Sequence, residues 1–375
     1  MARGRLSFLG LGIDIKVLAL ALVSTLMFGL TGLGYIALMW LFSQFTLGRD
    51  SAASHGISHL ESSRLGGLAI GVVFTSYIVG LTIISPYTPG FMRSSDYLYA
   101  WIATLACCML GLVEDLKPDY LPPKLRLGSK FIVFGVLLYM APELIPQSLG
   151  VPGIDRLLQI DLIAWALTVI FCVGFINAFN MSDGANGLVP GIATFSLAIF
   201  FLIYTRPAEG VLLFTCSIFL FFNIFTGRFF LGDMGSYGLG SIVVIEGLIG
   251  VINGDFSAAM MAALLAYPCL DFLVSIGRRL ARGYSPFAAD NGHLHNLIHR
   301  WLNTYFRSSL LANSLTGLLI SCSSAGLVLL GFLLQWWPAT SSEWGWIFAF
   351  EVGLYCSAMV MLRRAGFVTV YKNPE

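Results

Sequence analysis

Residues 159–187 read QIDLIAWALTVIFCVGFINAFNMSDGANG. From about 159 to 180 the stretch is apolar over the length a helix needs to cross ~30 Å of hydrocarbon. Its exit is polar: Asn177, Asn180 and Asp183 recur every three residues, Asn186 follows, and Gly184 and Gly187 break the helix. If the last turns stay helical, the first three side chains share one face. A spanning helix that delivers amides and a carboxylate to the water boundary makes the fold membrane-embedded and α-helical. It also puts the chemistry at the ends of spans.

Working outward, similar apolar runs lie near 17–42, 65–85, 96–113, 128–141, 188–205, 209–226, 237–253, 256–276, 308–334 and 344–362, about eleven in all. Of 375 residues, 57% are hydrophobic and 11% charged, with a mean hydropathy of +0.82; ordinary soluble domains are roughly 25% charged. The expected fold is an all-α polytopic membrane protein of about 10–11 transmembrane helices with a cytoplasmic-face active site. It forms one integral-membrane domain over 1–375, in which 277–307 is a basic, His-bearing loop. The first run exceeds the ~7–15-residue apolar core of a signal peptide and is read as a span. No internal repeat is visible.

The net charge of +1 and the scattered Lys/Arg residues argue against nucleic acid as a partner. The seven cysteines (107, 108, 172, 216, 269, 322, 356) fall in apolar stretches without metal-ligand spacing and read as small core hydrophobes. The connections after odd-numbered spans hold 15 of the 21 Lys/Arg residues, counting Lys130 with its adjacent loop. The positive-inside rule makes that side cytoplasmic. Arg3, Arg5 and Lys16 at the N-terminus argue the other way.

The same side collects Glu114-Asp115, the Asn177–Gly187 stretch, Gly232-Asp233-Met-Gly235-Ser236 and Asp290-Asn-Gly-His293-Leu-His295-Asn296. Carboxylates cost about 2.5–3.5 kcal/mol at mid-bilayer, so span ends suit them, with water and a divalent cation to compensate. Each cluster has a plainer reading. Asn177 and Asn180 could bridge helices, Glu114-Asp115 could be a solvated loop start beside Lys117, and Gly232–Ser236 could be a tight turn with an Asx cap. His293 and His295 are two apart and cannot form a one-face helical metal pair, whereas His295 and His299 are four apart and could. With Arg278, Arg279, Arg282, Arg300 and Arg307 around them, the histidines suit an anionic diphosphate or lipid phosphate better than a metal cage. Of the in-span acids Glu246, Asp271 and Glu351, Asp271 could simply pair with Arg278 or Arg279.

Taken in order, the four motifs resemble those of the polyprenyl-phosphate N-acetylhexosamine-1-phosphate transferase family. The resemblance runs from about His59 to Arg300 and includes Arg64-Leu-Gly66-Gly67 in the first loop. It implies that Glu114, Asp115 and Asp183 are catalytic, with Asp115 an orienting group or weak base. It implies that Asn177, Asn180, Asn186, His293, His295 and Arg64 bind substrate, and that Asp233 with Asn180 holds Mg²⁺, or Mn²⁺ in its place. The implied partners are a polyprenyl phosphate lipid, a UDP-sugar and membrane lipids, in a bacterial inner membrane; a homodimer is compatible with the sequence. The implied reaction is attack by the lipid phosphate on the sugar-bearing phosphorus, with UMP leaving, to start surface polysaccharide or O-antigen assembly. Glu114, Asn186 and Asn296 depart from the common spelling, which has Asp, Asp and His there. The rivals are a phospho-MurNAc-pentapeptide transferase of peptidoglycan synthesis and, in another class, a multispan transporter; transporters favour midplane sites between repeated halves.

Overall fold

The computed structural model describes residues 15–45, 48–50, 62–84, 95–118, 120–286 and 290–367. Arg3, Arg5 and His59 lie outside the described residues. Each of the eleven apolar runs forms helix. In chain order the helices are α1 (Ile15–Gln44), α2 (Gly66–Ile84), α3 (Ser95–Leu116), α4 (Pro123–Met140), α5 (Pro152–Leu158), α6 (Asp161–Met181), α7 (Leu188–Tyr204), α8 (Pro207–Thr226), α9 (Gly232–Asn253), α10 (Ala258–Leu264), α11 (Ala266–Ala281), α12 (Leu294–Leu302), α13 (Ser309–Ser323), α14 (Ala325–Leu333) and α15 (Trp344–Arg364). Among the described residues six helices are long and apolar enough to cross a membrane, or up to eight if each bent pair is one span. The bent pairs are α10–α11, at 69°, and α13–α14, at 47°. Of the remaining runs, α7 is short and α4 carries Lys124, Arg126 and Lys130, while α2 is apolar over Gly66–Gly80.

The bend between α10 and α11 has a local cause. Pro268 supplies no N–H and its ring opposes the carbonyl of Leu264, where α10 stops. The 277–307 segment is less of a loop than its charge implies. Helix α11 runs on to Ala281 and α12 forms over Leu294–Leu302, with Leu294, Leu297 and Leu302 buried on one side.

Helix α9 is the axis of the bundle: every residue from Met234 to Gly250 is buried. Helices α2, α3, α6 and α7 pack around it, and its many Gly and Ser residues let their backbones come close. The outer surface is apolar, as a lipid-facing exterior must be, with Leu22, Leu26 and Leu30 of α1 exposed. Cys107, Cys172 and Cys216 are buried as expected, but Cys322 and Cys356 lie on outward-facing helix surfaces.

Two short strands, β1 (Arg49–Asp50) and β2 (Ser62–Ser63), pair antiparallel, and Ser63 bridges in turn to Phe229. The first loop is thereby tied to the approach to α9 at the end of the bundle where α3, α6 and α8 also finish.

Candidate active site

The site is built on the first turn of α9. A helix begins with backbone N–H groups that have no partner inside it. Here Asp115, in the last turn of α3, supplies the partners: its two carboxylate oxygens accept from the N–H groups of Asp233 and Met234, each at 2.8 Å. Asp115 is buried. Gly232 has φ +74°, and a Cβ there would stand 2.7 and 2.8 Å from the Asp115 oxygens, so glycine alone admits the cap. The Gly232–Ser236 segment is therefore a helix start capped by an acid from another helix, not a tight turn with its own Asx cap.

With its backbone fixed, Asp233 turns its carboxylate toward α6. Asn180 donates through Nδ2 to Asp233 Oδ1 at 2.9 Å and to Ser236 Oγ at 2.8 Å, which leaves the Asn180 carbonyl oxygen as its acceptor. Helix α6 runs to Met181, so Asn177 and Asn180 share a helical face, and Asp183 follows on a tight turn with its N–H donating to Asn180 O. Asp183 sits in a poorly hydrated place beside Asp233. Burial first, then the Asp233 charge, pushes its carboxyl up to about 7, with Arg64 pulling the other way.

Arg126 links two acids: its NH1 lies 3.2 Å from Glu114 Oε1 and 3.7 Å from Asp233 Oδ2. One turn further along α4, Lys130 is fully buried. It donates to Asn177 Oδ1 at 2.7 Å and lies 3.6 Å from the centroid of the Tyr237 ring. Asn177 donates through Nδ2 to Val173 O at 2.7 Å, so both ends of its amide are engaged within the protein. Asn186 is also tied internally: its backbone N–H donates to Asn313 Oδ1 at 2.8 Å, and its side chain is buried against Gly227.

The His-Leu-His segment closes the site from the α11–α12 side. His293 Nδ1 lies 2.6 Å from Asp271 Oδ2, and Asp271 Oδ1 accepts from Leu294 N–H at 3.0 Å and Tyr355 OH at 2.9 Å. His295 stacks on His293 with ring centroids 5.3 Å apart, and its Nδ1 lies 3.1 Å from Tyr267 OH. Its Nε2 faces Gly184, where a Cβ would overlap the imidazole; Gly184 lets the histidine approach the Asp183 turn. Burial holds His295 well below the usual imidazole range, at about 4; Asp271 opposes this, and His293 and His299 add to it. Arg278 binds Asp290, which also accepts from Ser275 Oγ. Burial works against ionisation of Asp290, but these hydrogen bonds outweigh it and hold the acid down at about 2.

The structure thus brings Arg64, Glu114, Asp115, Asn180, Asp183, Asp233, His293 and His295 to one end of the bundle. It turns Asn177 and Asn186 to internal contacts. His299 bonds Asn303 at 2.8 Å rather than completing a pair with His295. Asp271 pairs with His293, not with Arg278 or Arg279, which are engaged by Asp290 and Pro286 O instead. Glu246 is ion-paired to Arg206 at 2.6 Å at the other end of the bundle.

Sequence reasoning passed over Arg126 and Lys130. The signal for Lys130 was its place in an apolar run, where a lysine needs a partner.

Among the described residues no three His, Cys, Asp or Glu side chains form a ready metal cage. The oxygen donors Asp183, Asp233 and Asn180 Oδ1 nonetheless suit Mg²⁺, which takes one or two carboxylates and draws its other ligands from substrate phosphates and water.

A multi-helix bundle with buried and half-buried acidic, amide and imidazole groups gathered at one end has the make-up of a membrane-embedded enzyme. Residues 97–251 match the glycosyl transferase family 4 profile. The chain is 27% identical over 289 residues to a probable undecaprenyl-phosphate N-acetylglucosaminyl 1-phosphate transferase of Bacillus subtilis, covering 73% of this chain and 76% of that protein. It is 25% identical over 338 residues to the decaprenyl-phosphate N-acetylglucosaminephosphotransferase of Mycolicibacterium smegmatis, covering 82% and 81%. A phospho-N-acetylmuramoyl-pentapeptide-transferase of a Synechococcus species is 32% identical over 196 residues, covering 47% of this chain and 56% of that protein. Over these stretches the chain is similar to the polyprenyl-phosphate N-acetylhexosamine-1-phosphate transferases of glycosyl transferase family 4, and it is an enzyme of the phosphotransferase class.

Proposed function

We propose that this enzyme transfers a sugar-1-phosphate of the N-acetylhexosamine type from a UDP-sugar to undecaprenyl phosphate on the cytoplasmic side of the inner membrane, releasing UMP. The product starts a surface polysaccharide such as O-antigen. The observation that carries the reading is the Asp115 cap on α9, which aims Asp233 at Asn180 and Asp183 beside a buried His pair.

In the reaction an oxygen of the lipid phosphate attacks the sugar-bearing phosphorus. The bond from that phosphorus to the bridging oxygen breaks, UMP leaves with the electron pair, and the bond to the sugar carbon stays intact. A phosphate monoester has its second pKa near 6, so the nucleophile is already largely dianionic at pH 7 and needs orientation more than deprotonation. Asp115, both of whose oxygens accept backbone N–H groups, serves as that orienting anchor. Asp183, Asp233 and Asn180 would hold Mg²⁺, which supplies charge neutralisation on the diphosphate. Arg64, Arg126, His293 and His295 provide the donors and positive charge that an anionic leaving group requires.

The test is transfer of radiolabel from UDP-sugars into an organic-extractable lipid by purified protein with undecaprenyl phosphate and Mg²⁺. Labelled lipid with stoichiometric UMP, both lost in Asp233→Ala, is expected. Turnover with a MurNAc-pentapeptide donor instead moves the assignment to the peptidoglycan branch. Flux without turnover in proteoliposomes moves it to transport.

A further inference from the structure

Lys130 is fully buried, and both of its contacts are neutral: the Asn177 amide oxygen at 2.7 Å and the Tyr237 ring at 3.6 Å. A buried ammonium needs compensating negative charge, or it is strongly disfavoured. The helices around it show where that charge lies. Tyr237 is one turn beyond Asp233 on α9, and Asn177 is one turn before Asn180 on α6, so Lys130 lies about one helical turn beneath the Asn180–Asp233 hydrogen bond. At that range the Asp233 carboxylate acts on it directly, with Arg126 as the opposing like charge. Asn177 cannot turn away, because its Nδ2 is held by Val173 O.

We infer that Lys130 is a positioning residue, the buried counter-cation of the Asp183–Asp233 cluster, which weakens the site's hold on a divalent cation and strengthens its hold on a nucleoside diphosphate. The inference rests on the function proposed above. Its consequence is an opposite-signed pair of effects. Removing the charge leaves the carboxylates more attractive to a metal ion and less tolerant of an anionic diphosphate. A lysine that merely packs α4 on α6 has no such signature, since a loosened site loses both ligands together.

The test uses the full-length protein in detergent, with Lys130→Met and Lys130→Gln checked for monodispersity and thermal unfolding. Mn²⁺ is titrated by electron paramagnetic resonance without donor, and UDP is titrated calorimetrically in EDTA. For the lysine charge about 8–10 Å from a divalent cation or an anionic diphosphate at an effective dielectric between about 20 and 40, the expected change is on the order of tenfold to several hundredfold in each direction: tighter Mn²⁺, weaker UDP. Weakening of both ligands, or no change in either, overturns the inference. If wild-type protein takes up no Mn²⁺, the metal assignment of the proposed function fails; weaker UDP in both variants at an unchanged unfolding midpoint then supports the counter-cation role, and weaker UDP with a lowered midpoint overturns it.

Discussion

Asp183 and His295, whose ring packs on neighbouring Gly184, are shifted in opposite directions. The Asp183 carboxyl is raised to about 7 by burial and the Asp233 charge, above the ~3.9 of an unfolded aspartate. Folded protein therefore holds this proton longer than unfolded protein, and the stability from this group is full below pH ~4 and lost as pH rises through about 7. In the proposed metal site the ionised form of Asp183 would be the ligand, so Mn²⁺ affinity is expected to rise between pH 6 and 8 in wild type, and that rise to flatten in Asp183→Asn. His295 stays neutral down to about 4 because it is buried. The unfolded chain takes up that proton near ~6.5, so this group withdraws stability as pH falls from 6.5 toward 4. Thermal unfolding at pH 7.5 and pH 5 checks this: His295→Gln is expected to narrow the gap between the two midpoints.

At the scale of elements, the start of α9 depends on α3. In Asp115→Asn one oxygen becomes an NH₂ facing a backbone N–H, with an expected loss of about 1–3 kcal/mol and a displaced Asp233. Gly232→Ala is expected to do the same from the other partner, placing a Cβ against the Asp115 oxygens at a positive φ. A lower unfolding midpoint and reduced label transfer in both variants check the cap. This arrangement was only half legible in the sequence. Acids are expensive in lipid, so Asp115, Asp183 and Asp233 had to appear at span ends, and they were found there. No spacing rule reports that residues 115 and 233 meet through a helix terminus, or that Asp271 on α11 reaches His293 at the start of α12 and Tyr355 on α15. Asn177 was legible as a polar group on the Asn180 face, but not as the partner of Lys130, since that contact depends on how α4 leans on α6.

For the whole molecule, the alternation of basic and non-basic connections predicts which end of the bundle faces the cytoplasm. Asn303 and Ser342 are exposed at the two ends of the region spanned by α13–α14 and α15. A cysteine at 342 is expected to react with a membrane-impermeant maleimide in intact cells, and one at 303 only after permeabilisation. Cys322 and Cys356 on the lipid-facing surface should contribute little background, since maleimide needs a hydrated thiolate. The eleven apolar runs were legible because lipid demands continuous helix. The bends at α10–α11 and α13–α14 follow from Pro268 and from an irregular backbone at Ser324, features of single residues that a count of apolar runs averages away.

The central claim is that phosphorus travels with the sugar. Purified protein given undecaprenyl phosphate, Mg²⁺ and a UDP-N-acetylhexosamine labelled with tritium in the sugar and ³²P in the sugar-bearing phosphate tests it most directly. The account predicts both labels in the extracted lipid at their input ratio, with unlabelled UMP released and at least a hundredfold less transfer by Asp233→Ala. Tritium in the lipid without ³²P, which then remains in released UDP, would contradict it.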